Sequence, residues 1–248
     1  MITVTGMDET AEPTVPKRAL LVAAHPDDID FGAAGTVARL TGAGCTVSYA
    51  IVTDGDAGEL PEGTHRTEGG ALRRREQVDA AAAVGVRAQD VHFLGFPDGV
   101  VEATMELRDA ITRIIRLTRP DVVICQSPER RWDSMFASHP DHLATGEATL
   151  RAVYPDARNP HTHLALMAEG LDAHTVRECW VMGHPEPDRY VDVTDTFEAK
   201  VAALAAHDSQ TAHMDLPEFI GGWVRDAAAR GGLAEGRRAE AFRTWPTG

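Results

Sequence analysis

Ala23-Ala24-His25-Pro26-Asp27-Asp28-Ile29-Asp30 is the stretch that decides the fold. It follows the apolar run 19–22 and precedes a glycine-containing helical pattern at 31–38. The stretch therefore predicts a junction at which a strand ends and a helix begins. Because ligands of open α/β sheets bind beyond the carboxyl ends of the strands, its imidazole and its two adjacent carboxylates are candidate site residues.

A second cluster, Ser138-His139-Pro140-Asp141-His142, lies far along the chain. Ser138 and Asp141 have the spacing of a capping box, and Pro140 would lie in the first helical turn, where proline is tolerated. The pattern predicts a helix that begins at Ser138 and extends to about residue 153. Because residues three apart share one helix face, His139 and His142 should point the same way.

The composition is that of a globular protein of 248 residues with a formal net charge of −14. This negative charge argues against general electrostatic binding of nucleic-acid phosphates. The three cysteines, Cys45, Cys125 and Cys179, are widely spaced and odd in number, which favours reduced thiols and a cytoplasmic protein. The first residues do not resemble a signal peptide, and no apolar run approaches the ~20 residues of a membrane span. Residues 1–16 are expected to form a flexible tail, and 17–248 a single domain.

Strands and helices are predicted to alternate along most of the chain. Hydrophobic periodicity predicts strands at about 18–24, 46–52, 91–94 and 121–125, and helices at about 32–42, 71–84 and 102–118. Further β-prone segments are 176–182 and 190–193, and a helical pattern covers 194–206. The tail 208–248 shows a helical pattern near 217–230 and no predicted strand.

This alternation indicates βαβ units in an α/β, Rossmann-like three-layer fold with a mainly parallel sheet. Parallel strands end at one edge of the sheet, so the loops that follow them share one rim. That rim would hold residues 25–28, Asp54 to Glu59, Asp98 and the approach to His139. The reactive groups should therefore gather in one place.

The two clusters together offer a metal site and a general base. Catalytic zinc sites use three ligands from His, Asp, Glu or Cys and leave one position open for water. His25 with Asp27 or Asp28, and the imidazoles of the second cluster, could supply them. Metal lowers the pKa of bound water to about 7, a remaining carboxylate could accept its proton, and a spare imidazole could stabilise an oxyanion. Taken singly, each residue is more readily explained as a turn or helix-cap residue than as a ligand.

The motifs resemble the PIG-L/LmbE-like family of zinc-dependent N-deacetylases, which includes N-acetylglucosaminyl-phosphatidylinositol de-N-acetylases and the deacetylases of mycothiol and bacillithiol synthesis. The resemblance covers most of 18–207. It is carried by His25-Pro26-Asp27-Asp28, the small residues to Thr36, Leu72-Arg73-Arg74-Arg75-Glu76, Phe96-Pro97-Asp98, His139-Pro140-Asp141-His142 and Tyr190-Val191-Asp192-Val193-Thr194.

The resemblance implies a role for eight residues. It implies that three of them bind zinc, namely His25, Asp28 and His142. It implies that Asp27 is the general base, that His139 stabilises the oxyanion and that Asp141 orients His139. Two substrate contacts are implied as well: Arg73 would face the substrate and Asp98 would receive sugar hydroxyls.

The resulting expectation is a Zn²⁺-dependent hydrolase that cleaves linear amides. It would remove an N-acetyl or other N-acyl group from a small amino sugar or glycoside. A mycothiol-conjugate-type amidase is an alternative within the same chemistry. A non-catalytic metal- or nucleotide-binding Rossmann-like module is an alternative of another class, although no G-x-G-x-x-G follows the first strand. The resemblance also suggests a homo-oligomer, from dimer to hexamer. The loops 54–70, 126–137 and 155–174 are expected to shape substrate choice.

Overall fold

The computed structural model describes residues 15–58, 63, 65–132, 135 and 138–248. Within these residues one sheet contains seven strands, which are β1 (Arg18–Ala23), β2 (Thr46–Thr53), β3 (Val91–Phe96), β4 (Val122–Gln126), β5 (Glu178–Met182), β6 (Arg189–Asp192) and β7 (Ala239–Pro246). Their order across the sheet is β3-β2-β1-β4-β5-β7-β6. Most of the predicted tail, residues 1–14, lies outside the described residues.

The mainly parallel sheet predicted from the sequence is confirmed. Strands β1 to β5 pair in parallel, and β7 pairs antiparallel with both β5 and β6. The central strand β1 is buried at five of its six positions, which explains its unbroken apolar sequence. Its end is in register with the ends of its neighbours, since Ala23 pairs with Ile51 and Val22 with Cys125.

Helices cover both faces of the sheet. They are α1 (Asp28–Gly42), α2 (Arg66–Ala83), α3 (Met105–Thr118), α4 (Pro140–Arg151), α5 (Leu164–Ala168), α6 (Phe197–Ala205), α7 (Asp208–Thr211) and α8 (Leu216–Arg230). One apolar core joins α1 and α2 to the face of β1 that carries Leu21, and the other joins α3 and α4 to the face that carries Leu20. Side chains of neighbouring strand residues point to opposite faces, so the three layers follow from the strand period of two.

Strand β7 was missed by the sequence analysis, which predicted no strand after residue 208. The charged Glu240 interrupts its apolar pattern, yet this residue is buried. Its carboxylate accepts hydrogen bonds from the backbone N–H groups of Gly35 and Thr36 at 3.0 and 2.7 Å, and from Lys200 Nζ at 2.7 Å. Because these partners come from α1 and α6, nothing near residue 240 in the sequence indicates a buried strand.

The predicted capping box at Ser138 is wrong. Helix α4 begins at Pro140, and its N-cap is His139, whose Nδ1 accepts a hydrogen bond from the Asp141 backbone N–H at 3.2 Å. The Ser138 hydroxyl instead accepts from the Arg131 backbone N–H at 2.7 Å. A histidine thus performs the capping that the pattern assigned to a serine.

The carboxyl ends of β1 to β4 lie along one rim of the sheet, and this rim positions the site.

Among the described residues, no helix is long and apolar enough to cross a membrane.

Candidate metal centre

The two sequence clusters meet at this rim, as predicted. Residues 25–27 connect β1 to α1, Asp28 is the first residue of α1, and His139 and His142 lie at the start of α4. His25 Nδ1 is 3.2 Å from His142 Nε2, although the two residues are 117 positions apart in the sequence. The parallel sheet brings them together because β1 and β4 are direct neighbours.

Three side chains with donor atoms converge at this point, namely His25, Asp28 and His142. Asp28 Oδ2 is 3.2 Å from His25 Nδ1, and Asp28 Oδ1 is 3.1 Å from His142 Nε2. A tetrahedral ion with bonds of about 2.0–2.1 Å would hold its ligands about 3.3 Å apart. The donor set of two imidazoles and one carboxylate therefore fits a divalent metal both in chemistry and in spacing.

A second group of three donors shares His25 and adds His139 and Asp141. In this group the carboxylate of Asp141 is already occupied, because it accepts the backbone N–H groups of Gly99 at 2.8 Å and Val101 at 3.1 Å. Asp141 is also fully buried. In the group that contains Asp28, the carboxylate accepts a single backbone N–H, that of His25, on Oδ2 at 2.7 Å. It is therefore less occupied by backbone donors than the carboxylate of Asp141.

The carboxylates around His25 favour a positive charge at the centre of the cluster. Burial alone would lower the pKa of His25, but the charge of Asp28 and hydrogen bonds with Asp141, Asp28 and Asp98 outweigh it and raise the pKa to about 12. Burial would raise the pKa of Asp28, yet the neighbouring His142 and His25 hold it well below its usual range. A bound cation would supply the same positive charge.

The second nitrogen of His25 contacts two carboxylates. Nε2 is 3.1 Å from Asp98 Oδ1 and 3.3 Å from Asp141 Oδ2. Contacts of this kind fix the tautomer and the ring orientation of a metal-binding histidine. The other oxygen of Asp98 accepts the Ala57 backbone N–H at 2.7 Å, and Asp98 is buried. Its contacts in the structure are thus with protein, and the predicted contact with sugar hydroxyls stays a prediction.

Asp27 adjoins the cluster in an unusual backbone conformation. Its φ is 94°, in the left-handed region that non-glycine residues rarely adopt. Asp27 is the N-cap residue of α1, but its side chain makes no capping hydrogen bond. The carboxylate instead contacts Arg73 Nη2 at 2.9 Å. Burial and the charge of Asp28 raise the pKa of Asp27 to about 6, against the opposing effect of Arg73.

Arg73 lies behind Asp27. Its guanidinium donates to the carbonyls of Gly55 and Pro26, at 2.8 Å each, and to the Asp27 carboxylate. The residue is only 5% exposed. The predicted contact of Arg73 with substrate stays a prediction, and the contacts in the structure join two loops of the rim to α2.

His139 contacts the backbone of Asp141. The Asp141 backbone N–H donates to His139 Nδ1 at 3.2 Å, whereas the Asp141 carboxylate contacts His25. The predicted orientation of His139 by Asp141 stays a prediction. Since Nδ1 of His139 accepts, its proton resides on Nε2. Burial and the positive charge of His25 lower the pKa of His139, which favours the neutral ring.

The sequence analysis missed Gln77, Asp30 and His207, which lie beneath Asp27. All three are fully buried. The Asp27 backbone N–H donates to Gln77 Oε1 at 3.0 Å. The one hint in the sequence is that Gln77 follows Arg73 by four residues on the same helix face.

Of the loops expected to shape substrate choice, 54–70 is shorter than predicted because α2 begins at Arg66. Residues 59–62 and 64 of this loop, and 133, 134, 136 and 137 of the next, lie outside the described residues.

The chain is similar to a known family and to several known proteins. The family described as GlcNAc-PI de-N-acetylase, PIG-L, matches residues 20–153, a range that contains both clusters. Diacetylchitobiose deacetylase of Thermococcus kodakarensis is 32% identical over 93% of this chain and 84% of its own length. The 1D-myo-inositol 2-acetamido-2-deoxy-alpha-D-glucopyranoside deacetylase of Mycobacterium sp. (strain JLS) is 30% identical over 83% and 78%. The solved structure of N,N'-diacetylchitobiose deacetylase from Pyrococcus horikoshii, complexed with its inhibitor MPG, matches with a TM-score of 0.83 at 28% identity, over 94% and 85%.

Proposed function

The chain belongs to the PIG-L family of GlcNAc-PI de-N-acetylases, and from this membership we propose that it removes the acetyl group from a small molecule that carries an N-acetylglucosamine unit. As a member of this family it is a metal-dependent hydrolase that cleaves amide bonds. The names of the relatives above describe deacetylases of N-acetylated amino sugars. The common element of those substrates is the acetamido group on a glucosamine ring.

His25, Asp28 and His142 are the proposed metal ligands, and Zn²⁺ is the proposed metal. Their spacing of 3.1–3.2 Å supports this assignment, as does the preference of Zn²⁺ for imidazole and carboxylate ligands. When bound, such an ion supplies Lewis-acid chemistry, which lowers the pKa of water and polarises a carbonyl. Asp98 and Asp141 hold the ring of His25 in place for this purpose.

Asp27 is the proposed general base. Its carboxylate is released from helix capping and is joined to the protein by the contact with Arg73, so it can accept a proton from the attacking water. Burial and the charge of Asp28 raise the pKa of Asp27, which favours temporary protonation of its carboxylate. The proton then passes to the amine nitrogen as the C–N bond breaks, and acetate and a free amine leave.

His139 is the proposed oxyanion stabiliser. The tautomer set by the Asp141 amide leaves an N–H donor on Nε2. In the tetrahedral intermediate this donor would stabilise the negative charge on the former carbonyl oxygen. Arg73 keeps Asp27 in place, and its predicted second function, contact with the substrate, is part of the same proposal.

The convergence of three donor atoms from two distant segments carries this proposal, and metal removal tests it. Release of acetate and of free amine would be measured with N,N'-diacetylchitobiose and N-acetylglucosamine, before and after chelation. We expect chelation to abolish both products and Zn²⁺ to restore them, with Co²⁺ and Fe²⁺ as comparisons. Undiminished turnover by a metal-free preparation would contradict the proposal. The amidase alternative requires a further substrate, a glucosamine glycoside whose nitrogen is acylated by a cysteine conjugate; release of that conjugate would identify it.

The cytoplasmic location and the homo-oligomer remain part of this proposal. Support for the first comes from the cysteines, since all three are free and buried.

A further inference from the structure

The conformation of Asp27 depends on contacts from one helix. Its left-handed backbone, with φ at 94°, is the kind of conformation that persists only where surrounding contacts hold it. Two residues one turn apart on α2 make these contacts. Arg73 binds the carboxylate of Asp27 and the carbonyl of Pro26, and Gln77 accepts the Asp27 backbone N–H at 3.0 Å.

The orientation of the Gln77 amide is determined by its second partner. Its Nε2 donates to Asp30 Oδ2 at 2.9 Å. Because the Asp27 backbone N–H can only donate, the amide points its oxygen at Asp27 and its nitrogen at the accepting Asp30 oxygen. The same Asp30 oxygen lies 2.9 Å from His207 Nε2, which holds the carboxylate from the other side. The chain of contacts therefore runs from His207 through Asp30 and Gln77 to the backbone of Asp27.

The metal ligands are held by other contacts. Asp28 accepts the His25 backbone N–H at 2.7 Å, and the ring of His25 is held by Asp98 and Asp141. The hydrogen bonds of Gln77 within the described part of the chain go to Asp27 and Asp30, and neither reaches a proposed metal ligand. Gln77 can thus affect the general base while leaving the donor set in place.

We propose that Gln77 is a positioning residue for Asp27, and that Asp30 and His207 act by fixing the orientation of the Gln77 amide. The inference rests on the proposed role of Asp27 as general base. Gln77 aims the carboxylate at the attacking water by fixing the backbone from which that carboxylate projects. Its loss would move the base and spare both the metal and the bound substrate.

The variant Gln77→Met tests this, because methionine has a similar length and removes both strong hydrogen bonds. We expect kcat for N,N'-diacetylchitobiose to fall about 10- to 100-fold, since a misplacement of ~1 Å can lower a rate by about 100-fold. KM and the amount of bound Zn²⁺ per chain should be unchanged. The matched control is Gln89→Met, which makes the same substitution at an exposed position between α2 and β3. This control should keep the kcat of the unmodified protein.

A double-variant cycle distinguishes positioning from general damage. If Gln77 acts only through Asp27, adding Gln77→Met to Asp27→Asn should lower the residual kcat no further. An additive loss, loss of the metal, or an unchanged kcat in Gln77→Met would overturn the inference. If Gln77→Met does not fold, Gln77→Glu keeps the size and an acceptor at this position, and the same cycle applies. Full activity of Asp27→Asn alone would instead refute the proposed general base.

Discussion

The tripeptide His-Pro-Asp occurs twice, at 25–27 and at 139–141, and each copy stands at the start of a helix on the same rim. The two copies nevertheless differ in where the helix begins. In the first copy the aspartate is the N-cap, whereas in the second copy the histidine is the N-cap and the aspartate lies inside α4. A shift of two residues in the helix start sends identical side chains in different directions.

The contacts of the two aspartates show the consequence. Asp27 presents its carboxylate to Arg73 with a φ of 94°. Asp141 is fully buried and gives its carboxylate to the backbone N–H groups of Gly99 and Val101. The first is available for proton transfer and the second is bound within the protein. A motif read as letters therefore does not assign a role until the helix register is known.

The largest effect should come from removing a proposed metal ligand at the site where the two copies meet. His142→Ala removes a donor atom from the second segment. Metal affinity should fall by more than about 100-fold, because loss of an outer-shell partner alone costs about 10- to 100-fold. Metal content per chain and acetate release check this, and the exposed His161→Ala serves as the matched histidine control. A variant that still holds one ion per chain would remove His142 from the ligand set.

The next effect should separate the two aspartates. Asp27→Asn keeps a residue type that tolerates the left-handed conformation but cannot accept a proton. We expect kcat to fall by about 10²–10⁴, the usual contribution of a general acid–base residue, with the metal retained. Steady-state kinetics and metal analysis measure this. A kcat close to that of the unmodified protein would show that the base is another group.

A smaller effect is expected for the histidine of the second copy. His139→Ala removes the proposed oxyanion donor, which should lower kcat by about 10²–10³. It also removes the N-cap of α4, which should lower the free energy of unfolding by about 1 kcal/mol. Replacement by asparagine, a good capping residue, should restore the stability and leave kcat low. Recovery of kcat together with stability would indicate that His139 is only a cap.

The smallest effect on turnover should come from the aspartate of the second copy. Asp141→Asn keeps one acceptor and places an amide group against the N–H donors of Gly99 and Val101. Metal affinity should fall by about 10- to 100-fold, as expected for a partner of a metal-binding histidine. Titration with Zn²⁺ measures this, and saturating metal should restore most of kcat. Failure of excess metal to restore activity would place Asp141 in direct contact with the reaction.

Much of the fold was predictable because local pattern and local structure agree. The apolar run before His25 predicted β1, and the alternation of strands and helices predicted the parallel sheet and its shared rim. Strand β7 was not predictable, because Glu240 is stabilised by α1 and Lys200, which are distant in the sequence. Gln77 and His207 were not predictable for the same reason, because their hydrogen-bond partners lie 50 and 177 residues away in the sequence.

By itself, the sequence determined which chemical groups the site contains and on which edge of the sheet they lie, because residue types and strand periodicity are local properties. Only the tertiary structure decided which imidazole nitrogen faces which carboxylate and which aspartate accepts backbone N–H groups. It also decided that α2 holds Asp27 in place. Those assignments depend on donors and acceptors from separate segments, and hydrogen bonds act only over the short distances that folding creates.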